Sequence, residues 1–228
     1  QAADAFSRVG EAARLAFDGC AAVAVTISQR MIGIKSLKTG AQYLQETDAE
    51  LRALTARNHT ATHMLHWALR EVLGKHVKQA GSVVAPDLLR FDFTHFQPLT
   101  PVEIQKIEDL VNEKIWHGDG VSKKVEKKDD AIAAGAIAMF GEKYPDLVRV
   151  VRVGAFSTEL CGGTHVDNSH EIHLVKIAGE GGIAAGVRRM TAYTSRGAFD
   201  YLRGKDRELG LVTDKLKATH SSEVLGRI

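Results

Sequence analysis

The sequence predicts an α+β fold with a mostly antiparallel sheet. Helical and strand-like stretches alternate along the chain without the regular strand–helix–strand rhythm that a parallel sheet requires. Of the 228 residues, 44% are apolar and 25% are charged, which is the composition of a globular protein with a hydrophobic core. That composition excludes disordered and collagen-like chains, and the chain shows no internal repeat and no low-complexity tract.

The helices are predicted from caps and from apolar periodicity. The clearest begins after Thr100, which supplies an N-cap, with Pro101 at the first helical position and Glu103 completing a capping box. Thr47 and Glu50 have the same capping-box spacing, and no glycine or proline follows until residue 74. The helices are expected at about residues 47–74, from 101 past 115, from 129 or 130 to 141, and from 196 onwards.

The strands are predicted where apolar and polar residues alternate. Leu89, Phe91 and Phe93 alternate with Arg90 and Asp92, the period of a half-buried strand. We expect the glycine-rich stretch 179–186 to separate the last two strands. The expected strands are two or three short ones between residues 21 and 44, then 88–96, 121–127, 147–153, 171–177 and 187–193.

Composition and charge exclude several classes of protein. The longest apolar run, residues 20–25, is far short of the roughly 20 residues of a membrane-spanning helix, so we expect neither a membrane anchor nor a signal peptide. The net charge of +2 leaves nucleic-acid contacts to local patches. Two cysteines are too few for a disulfide scaffold, so we expect a reducing, cytoplasmic location. The chain begins with Gln1 and stops within a helical pattern, and we expect it to be part of a longer protein.

His59 and His63 lie within the long predicted helix. Residues four apart lie on one face of a helix, so both imidazoles can point at one metal ion. Because the chain has ten histidines, two buried histidines without a metal remain an alternative. Thr60 stands where a zinc peptidase of the H-E-x-x-H type carries its glutamate, which argues against that mechanism.

Cys161 and His165 are a second pair with ligand chemistry. Two glycines between them favour a tight turn over a helix, and a turn can wrap an ion. Together with the helical pair they form a set of three histidines and one cysteine, donors that suit Zn²⁺. The alternative is a buried cysteine that acts as a small apolar residue and a histidine on a loop. Four protein ligands indicate a structural zinc, whereas three would leave a position for a catalytic water. The sequence leaves both options open.

Four segments, in this order and spacing, closely resemble the editing domain of bacterial alanyl-tRNA synthetases. They are residues 57–63 (RNHTATH), 90–93 (RFDF), 159–165 (ELCGGTH) and 182–189 (GIAAGVRR). The resemblance extends from about Lys38 to Tyr193, and a related module occurs in threonyl-tRNA synthetases and in free-standing editing proteins. It implies a short or partial β-barrel segment over residues 1–46, an α+β core around a zinc site over residues 47–194, and a C-terminal helix over residues 195–228 that leads to the next domain.

The resemblance also implies a role for individual residues. Gln79 corresponds to a polar residue near the scissile ester, and Asp92 is expected to shape the pocket. Thr62 corresponds to the threonine that recognises a serine hydroxyl, although a hydroxyl bonded to the preceding helical turn is the alternative. Gln79 could equally be a surface amide. The implied metal ligands are His59, His63, Cys161 and His165, and the implied contacts with the tRNA end are Gly181, Gly182, Arg188 and Arg189.

By resemblance, the activity is that of an aminoacyl-tRNA deacylase within a ligase. It would hydrolyse the ester of mischarged Ser-tRNA(Ala) and Gly-tRNA(Ala), with the acceptor end of tRNA(Ala) as partner and no use of ATP, since an adenylate-forming domain is absent from the sequence. Such a second sieve is needed because a pocket that tolerates a hydroxyl rejects serine only about a hundredfold. The alternatives are a zinc-stabilised tRNA-binding module without hydrolytic activity and a metal-dependent hydrolase of small molecules.

Overall fold

The computed structural model describes residues 48–138 and 144–228. The short strands expected between residues 21 and 44, and with them the barrel segment expected over residues 1–46, lie outside the described residues. The described elements, in chain order, are α1 Ala49–Leu73, β1 Gln79–Val84, β2 Leu89–Thr94, α2 Pro101–His117, β3 Val121–Lys127, α3 Lys128–Ala133, β4 Leu147–Val153, β5 Ser157–Leu160, the 3-10 turn Ser169–Ile172, β6 Val175–Ala184, β7 Val187–Thr194, α4 Ser195–Lys215 and the 3-10 turn Ser221–Arg227.

The strands form two antiparallel sheets. The larger sheet has the order β1-β2-β7-β6, and the smaller has the order β3-β4-β5. Neighbouring named strands run antiparallel in both sheets. The predicted α+β class with a mostly antiparallel sheet is confirmed, and the described residues include a buried cluster of histidine and cysteine side chains.

Helix α1 contacts both sheets. It packs against β1, β2 and β7 of the larger sheet and also contacts β4 and β5 of the smaller one. Its N-terminus is fixed by Asp48, whose carboxylate accepts hydrogen bonds from the amides of Glu50 and Leu51. Thr47 was the expected cap, so the cap lies one residue later than predicted. Because α1 contacts both sheets, side chains on its different faces enter different parts of the protein.

The main core lies between the larger sheet and helices α1 and α2. Phe91 and Phe93 of β2 are fully buried, as their alternation with polar residues predicts. Helix α2 adds Ile107 and Ile115, and its predicted capping box between Thr100 and Glu103 is present. The smaller sheet has a separate apolar cluster formed by Ala131, Ala136, Val148, Val150 and Leu160.

Three predicted elements differ from the structure. Helix α3 ends at Ala133 rather than Gly141, because Gly135 takes a positive φ of 90°. Residues 171 and 172 belong to a 3-10 turn rather than a strand, and β6 starts only at Val175. The expected glycine-rich connection is mostly strand, since β6 continues to Ala184. Two strands were missed, β1 and β5.

The last long helix, α4, packs against β6 and β7 and begins at Ser195, one residue before the predicted start. Among the helices in the described part of the chain, none combines the length and the apolar character that a bilayer crossing needs.

Candidate metal centre

Two histidines point from one face of α1 into a buried space. His59 and His63 are one turn apart, and each side chain is almost fully buried. Their ring centroids are 5.4 Å apart. The helix positions them because their spacing of four residues matches its pitch.

The loop after β5 brings the other two predicted ligands to the same space. Cys161 and His165 flank a short segment that is neither helix nor strand, as the two intervening glycines predicted. Arg149 holds this loop, since its Nη1 donates hydrogen bonds to the carbonyls of Cys161, at 3.1 Å, and of Gly163, at 2.5 Å. Gly163 packs so closely against His59 that a Cβ atom there would lie 2.0 Å from Cε1 of the ring.

The four donors are close enough to share one ion. Their ligand atoms all lie within 4.8 Å of one another, and all four residues are buried. Sγ of Cys161 is 3.4 Å from Nε2 of His59 and 3.3 Å from Nε2 of His165. A tetrahedral zinc, with bonds of about 2.0 Å to nitrogen and 2.3 Å to sulfur, places a nitrogen and a sulfur about 3.5 Å apart. The spacing and the donor types therefore fit a metal ion of this kind.

Two of the three histidines have a polar side chain beside the outer ring nitrogen. Nδ1 of His165 is 3.1 Å from Oγ1 of Thr60. That hydroxyl donates its own proton to the carbonyl of Ala56, so it can accept the Nδ1 proton of His165. Nδ1 of His63 faces Oε2 of Glu159 at 3.4 Å. The nitrogens that face the centre are therefore free of protons when the outer nitrogens carry them.

Burial keeps the imidazoles neutral. Burial, and after it the proximity of His63, lowers the pKa of His59 to about 3. Burial also lowers the pKa of His63, and that of His165 falls well below its ordinary value for the same reason. Burial alone would raise the pKa of Glu159, but the adjacent His63 and a hydrogen bond from His66 hold it below its ordinary value. Neutral imidazoles are the form that binds a metal.

Thr62 and Gln79 do not belong to this cluster. The Thr62 hydroxyl is buried and donates a 2.8 Å hydrogen bond to the carbonyl of Asn58, one turn earlier. This is the alternative contact that the sequence analysis considered. Gln79 is half-buried at the start of β1, which is an edge strand, and its amide nitrogen donates to Oγ of Ser82 at 3.0 Å.

The residues expected to meet the tRNA end lie on β6 and β7. Arg189 forms a bidentate ion pair with Asp92 of β2, with both N–O distances 2.7 Å. Arg188 pairs with Glu180, whose side chain is only 3% exposed. Gly181 and Gly182 lie opposite the two arginines in the ladder between β6 and β7. Both guanidinium groups are therefore already held by carboxylates, and Asp92 is tied to Arg189.

Sequence reasoning missed the residues that surround the four donors. Thr60, Arg149 and Glu159 each contact a donor or its loop. Two of them stand close to a candidate ligand in the sequence, which was a signal of their role. Glu159 lies two residues before Cys161, and Thr60 lies one residue after His59. Nothing local distinguished Arg149 from the other charged residues of β4.

Comparison with known proteins agrees with the resemblance found in the sequence. Residues 148–191 match a family model described as the threonyl and alanyl tRNA synthetase second additional domain. This match contains β4, β5, the loop with Cys161 and His165, and most of the strand pair β6–β7. The chain is 50% identical over 197 residues to the alanine–tRNA ligase of Shouchella clausii and 52% identical over 192 residues to that of Pseudothermotoga lettingae.

The chain's homologues are alanine–tRNA ligases. The alanine–tRNA ligase of Myxococcus xanthus is 47% identical over 232 residues, a match that covers 97% of this chain and 26% of that enzyme. The first two matches cover 86% and 84% of this chain and 22% of each enzyme. The predicted resemblance to alanyl-tRNA synthetases is thus confirmed. The chain spans about a quarter of the length of the alanine–tRNA ligases it matches.

Proposed function

We propose that this chain is an editing module of an alanyl-tRNA synthetase and that it hydrolyses the ester of Ser-tRNA(Ala) and Gly-tRNA(Ala). The observation that carries the proposal is the buried convergence of His59, His63, Cys161 and His165 in a chain whose homologues are alanine–tRNA ligases. The need for such a hydrolytic activity follows from the chemistry of the amino acids and does not depend on the structure. A synthetic pocket for alanine cannot exclude the smaller glycine, and it rejects serine poorly, so a second, hydrolytic site must remove both products.

We propose that the four donors hold Zn²⁺. Three imidazoles and one thiolate are preferred zinc ligands, and four protein ligands complete a tetrahedral shell. When bound, the ion would supply a fixed positive charge that orders the loop from Cys161 to His165 against α1. With no ligand position left, water activation would fall to polar side chains and to the terminal ribose hydroxyl of the substrate. A displaced ligand would instead open the site for a catalytic water.

Selectivity for serine is assigned to Thr62. Its hydroxyl proton is committed to the Asn58 carbonyl, so the oxygen keeps a lone pair that can accept a hydrogen bond from a serine hydroxyl. Alanine has no group to make that bond. Gln79 is assigned to the ester because its amide can donate to a carbonyl oxygen that becomes negative during hydrolysis. This requires the amide to leave its present partner, Ser82.

The proposed partner is the acceptor end of tRNA(Ala). Gly181 and Gly182 support this assignment, because both leave strand β6 without side chains where a nucleotide could approach its backbone. Arg189 would supply a phosphate contact by exchanging Asp92 for the RNA. Ester hydrolysis consumes only water, so ATP has no part in the proposed reaction. A cytoplasmic location is proposed with it, since a reducing compartment keeps the Cys161 thiol available for the metal.

The test is deacylation by the complete 228-residue chain. Ser-tRNA(Ala) and Gly-tRNA(Ala) should be hydrolysed and Ala-tRNA(Ala) spared. Cys161→Ala should abolish hydrolysis and metal binding together, whereas Cys20→Ala, which changes the other cysteine of the sequence, should affect neither. Full activity of Cys161→Ala would remove the metal centre from the proposal.

A zinc-stabilised tRNA-binding module without hydrolysis is the second candidate. One observation favours it: four buried donors form a closed set, which is typical of structural zinc sites. The two functions separate in one comparison. If the chain binds tRNA(Ala) in a salt-dependent manner but leaves Ser-tRNA(Ala) intact, the binding module is correct.

A further inference from the structure

Glu159 lies directly behind the candidate metal centre. Its Oε1 accepts a 3.0 Å hydrogen bond from Nδ1 of His66, and its Oε2 faces Nδ1 of His63 at 3.4 Å. Glu159 is 8% exposed and both histidines are almost completely buried. Within the described residues, Nδ1 of His63 has no hydrogen-bond partner, so this carboxylate is the acceptor available to it. One buried acid thus faces a proposed ligand on one oxygen and a histidine outside the ligand set on the other.

We propose that Glu159 is a positioning residue that fixes the orientation of His63 and balances the charge of the loaded centre, and that His66 holds the carboxylate in place. This rests on the metal site of the proposed function but does not depend on hydrolysis. Neither residue is a proposed ligand. Both would act through His63, whose Nδ1 faces this carboxylate.

Glu159 can set the tautomer of His63. A carboxylate facing Nδ1 favours the tautomer that carries its proton there, which leaves the Nε2 lone pair for the metal. The other two histidines follow the same arrangement, because Nε2 of His59 and Nε2 of His165 both approach Sγ of Cys161. For His165 the outer acceptor is Thr60, and for His63 it is Glu159.

Glu159 also places a negative charge beside the centre. A divalent ion with one thiolate and three neutral imidazoles carries a net charge of +1 in a buried site. Arg149 adds positive charge nearby, since its guanidinium binds the carbonyls of Cys161 and Gly163. An uncompensated buried charge is costly. Lys123 of β3 also contacts this loop, at the carbonyl of His165, and it is paired with Asp167. The Glu159 carboxylate is therefore left to offset the charge of the centre itself.

The experiment measures Co²⁺ binding to the whole chain by competition with a chelator, together with the visible absorption of the bound ion. Glu159→Gln keeps the size of the side chain and removes its charge. We expect it to weaken Co²⁺ binding by about 10- to 100-fold, the usual effect of losing such an outer contact, and to change the absorption spectrum. The matched control is Glu180→Gln, because Glu180 is a similarly buried carboxylate that pairs with Arg188 away from the centre. It should bind Co²⁺ as the wild type does.

Two further variants separate positioning from general stability. Glu159→Asp keeps the charge with a shorter reach, and it should recover part of the affinity lost in Glu159→Gln. His66→Gln leaves the carboxylate but removes its imidazole partner, and it should also weaken Co²⁺ binding. If Glu159→Gln does not fold, as judged by circular dichroism, His66→Gln carries the test. Wild-type affinity and spectrum in the folded variant would overturn the proposal.

The same measurements keep this proposal apart from the hydrolytic one. If wild-type chain binds Co²⁺ and Glu159→Gln weakens that binding, the positioning role stands even when Ser-tRNA(Ala) is not hydrolysed. If the chain hydrolyses Ser-tRNA(Ala) while Glu159→Gln binds Co²⁺ like the wild type, the positioning role fails and the proposed function is retained.

Discussion

Gly163 packs against the imidazole of His59 with no room for a side chain. A Cβ atom at this position would lie 2.0 Å from Cε1 and 2.4 Å from Nδ1 of the ring. Atoms that are not bonded do not approach so closely, so either the ring or the loop would have to move. Gly163 is thus required by the position of the His59 side chain, about a hundred residues earlier in the chain, rather than by its own backbone angles.

Gly163→Ala should therefore disturb the metal centre more than the rest of the fold. We expect metal affinity to fall by about tenfold or more, because either His59 or the loop with Cys161 and His165 must leave its position, with a loss of stability of about 1 to 3 kcal/mol. The control is Gly179→Ala, since a Cβ atom there would have no neighbour within 4 Å. Co²⁺ competition and urea unfolding measure the two effects. Equal affinities of the two variants would contradict the packing argument.

The metal-free protein should lose stability as the pH falls below about 6.5. Burial lowers the pKa of His59 to about 3 and also lowers those of His63 and His165, so the unfolded chain binds protons that the folded protein excludes. Each excluded proton costs at most about 1.4 kcal/mol per pH unit. The lowered pKa of Glu159 acts in the same direction at lower pH.

Urea unfolding of metal-free chain between pH 7 and pH 5 measures this dependence. His59→Gln removes one of the three histidines. The free energy of unfolding should then change less steeply with pH, by an amount that corresponds to the uptake of up to one proton. Identical slopes for the wild type and His59→Gln would show that His59 is protonated in the folded protein. The contribution of His59 to the pH dependence of the free energy of unfolding should persist until the pH approaches its lowered pKa of about 3.

The two neighbouring arginines of β7 should differ in their effect on stability. Arg188→Ala leaves Glu180 unpaired with its side chain only 3% exposed, which should cost about 3 to 5 kcal/mol. Arg189 is 32% exposed and its partner Asp92 is 14% exposed, so water can replace part of that pair. Arg189→Ala should cost less. Urea unfolding of the two variants at one pH ranks them, and the opposite order would refute the assignment.

Thr62→Val tests whether the helix hydroxyl recognises serine. Valine has a similar shape but accepts no hydrogen bond, so the preference for Ser-tRNA(Ala) over Ala-tRNA(Ala) should fall by about 2- to 10-fold, the usual value of one such bond. Thr55→Val is a matched control, because Thr55 makes the same bond to the carbonyl one turn earlier on α1. Deacylation rates for both esters provide the measurement. Unchanged selectivity would mean that Thr62 does not recognise serine and only donates its hydrogen bond to the Asn58 carbonyl.

The sequence predicted elements whose signals are local. Helix α2 carries its own capping box and apolar stripe, and β2 alternates cleanly, so both were placed within two residues. Strand β1 was missed because residues 79–82 include a glycine and two polar residues, and its pairing with β2 makes it a strand. Residues 171 and 172 were predicted as strand but belong to a 3-10 turn, whose cap of Asn168 and Glu171 leaves no apolar period in the sequence.

For the candidate site too, the sequence predicted only what is encoded locally. Its four donors stand in two short pairs whose chemistry is visible in the sequence. Their surroundings, Thr60, Arg149 and Glu159, were not predicted, because each acts through contacts made only after both sheets and α1 have come together. The division into three domains stays a prediction.

The distance between the two ligand pairs along the chain has a consequence for biosynthesis. Cys161 follows His59 by 102 residues, yet their side chains meet. While the polypeptide is being translated, the first pair emerges from the ribosome long before the second. The nascent chain therefore cannot assemble the complete set of donors until the loop that ends at His165 has been made, so any binding of an ion by all four donors must follow the synthesis of that loop.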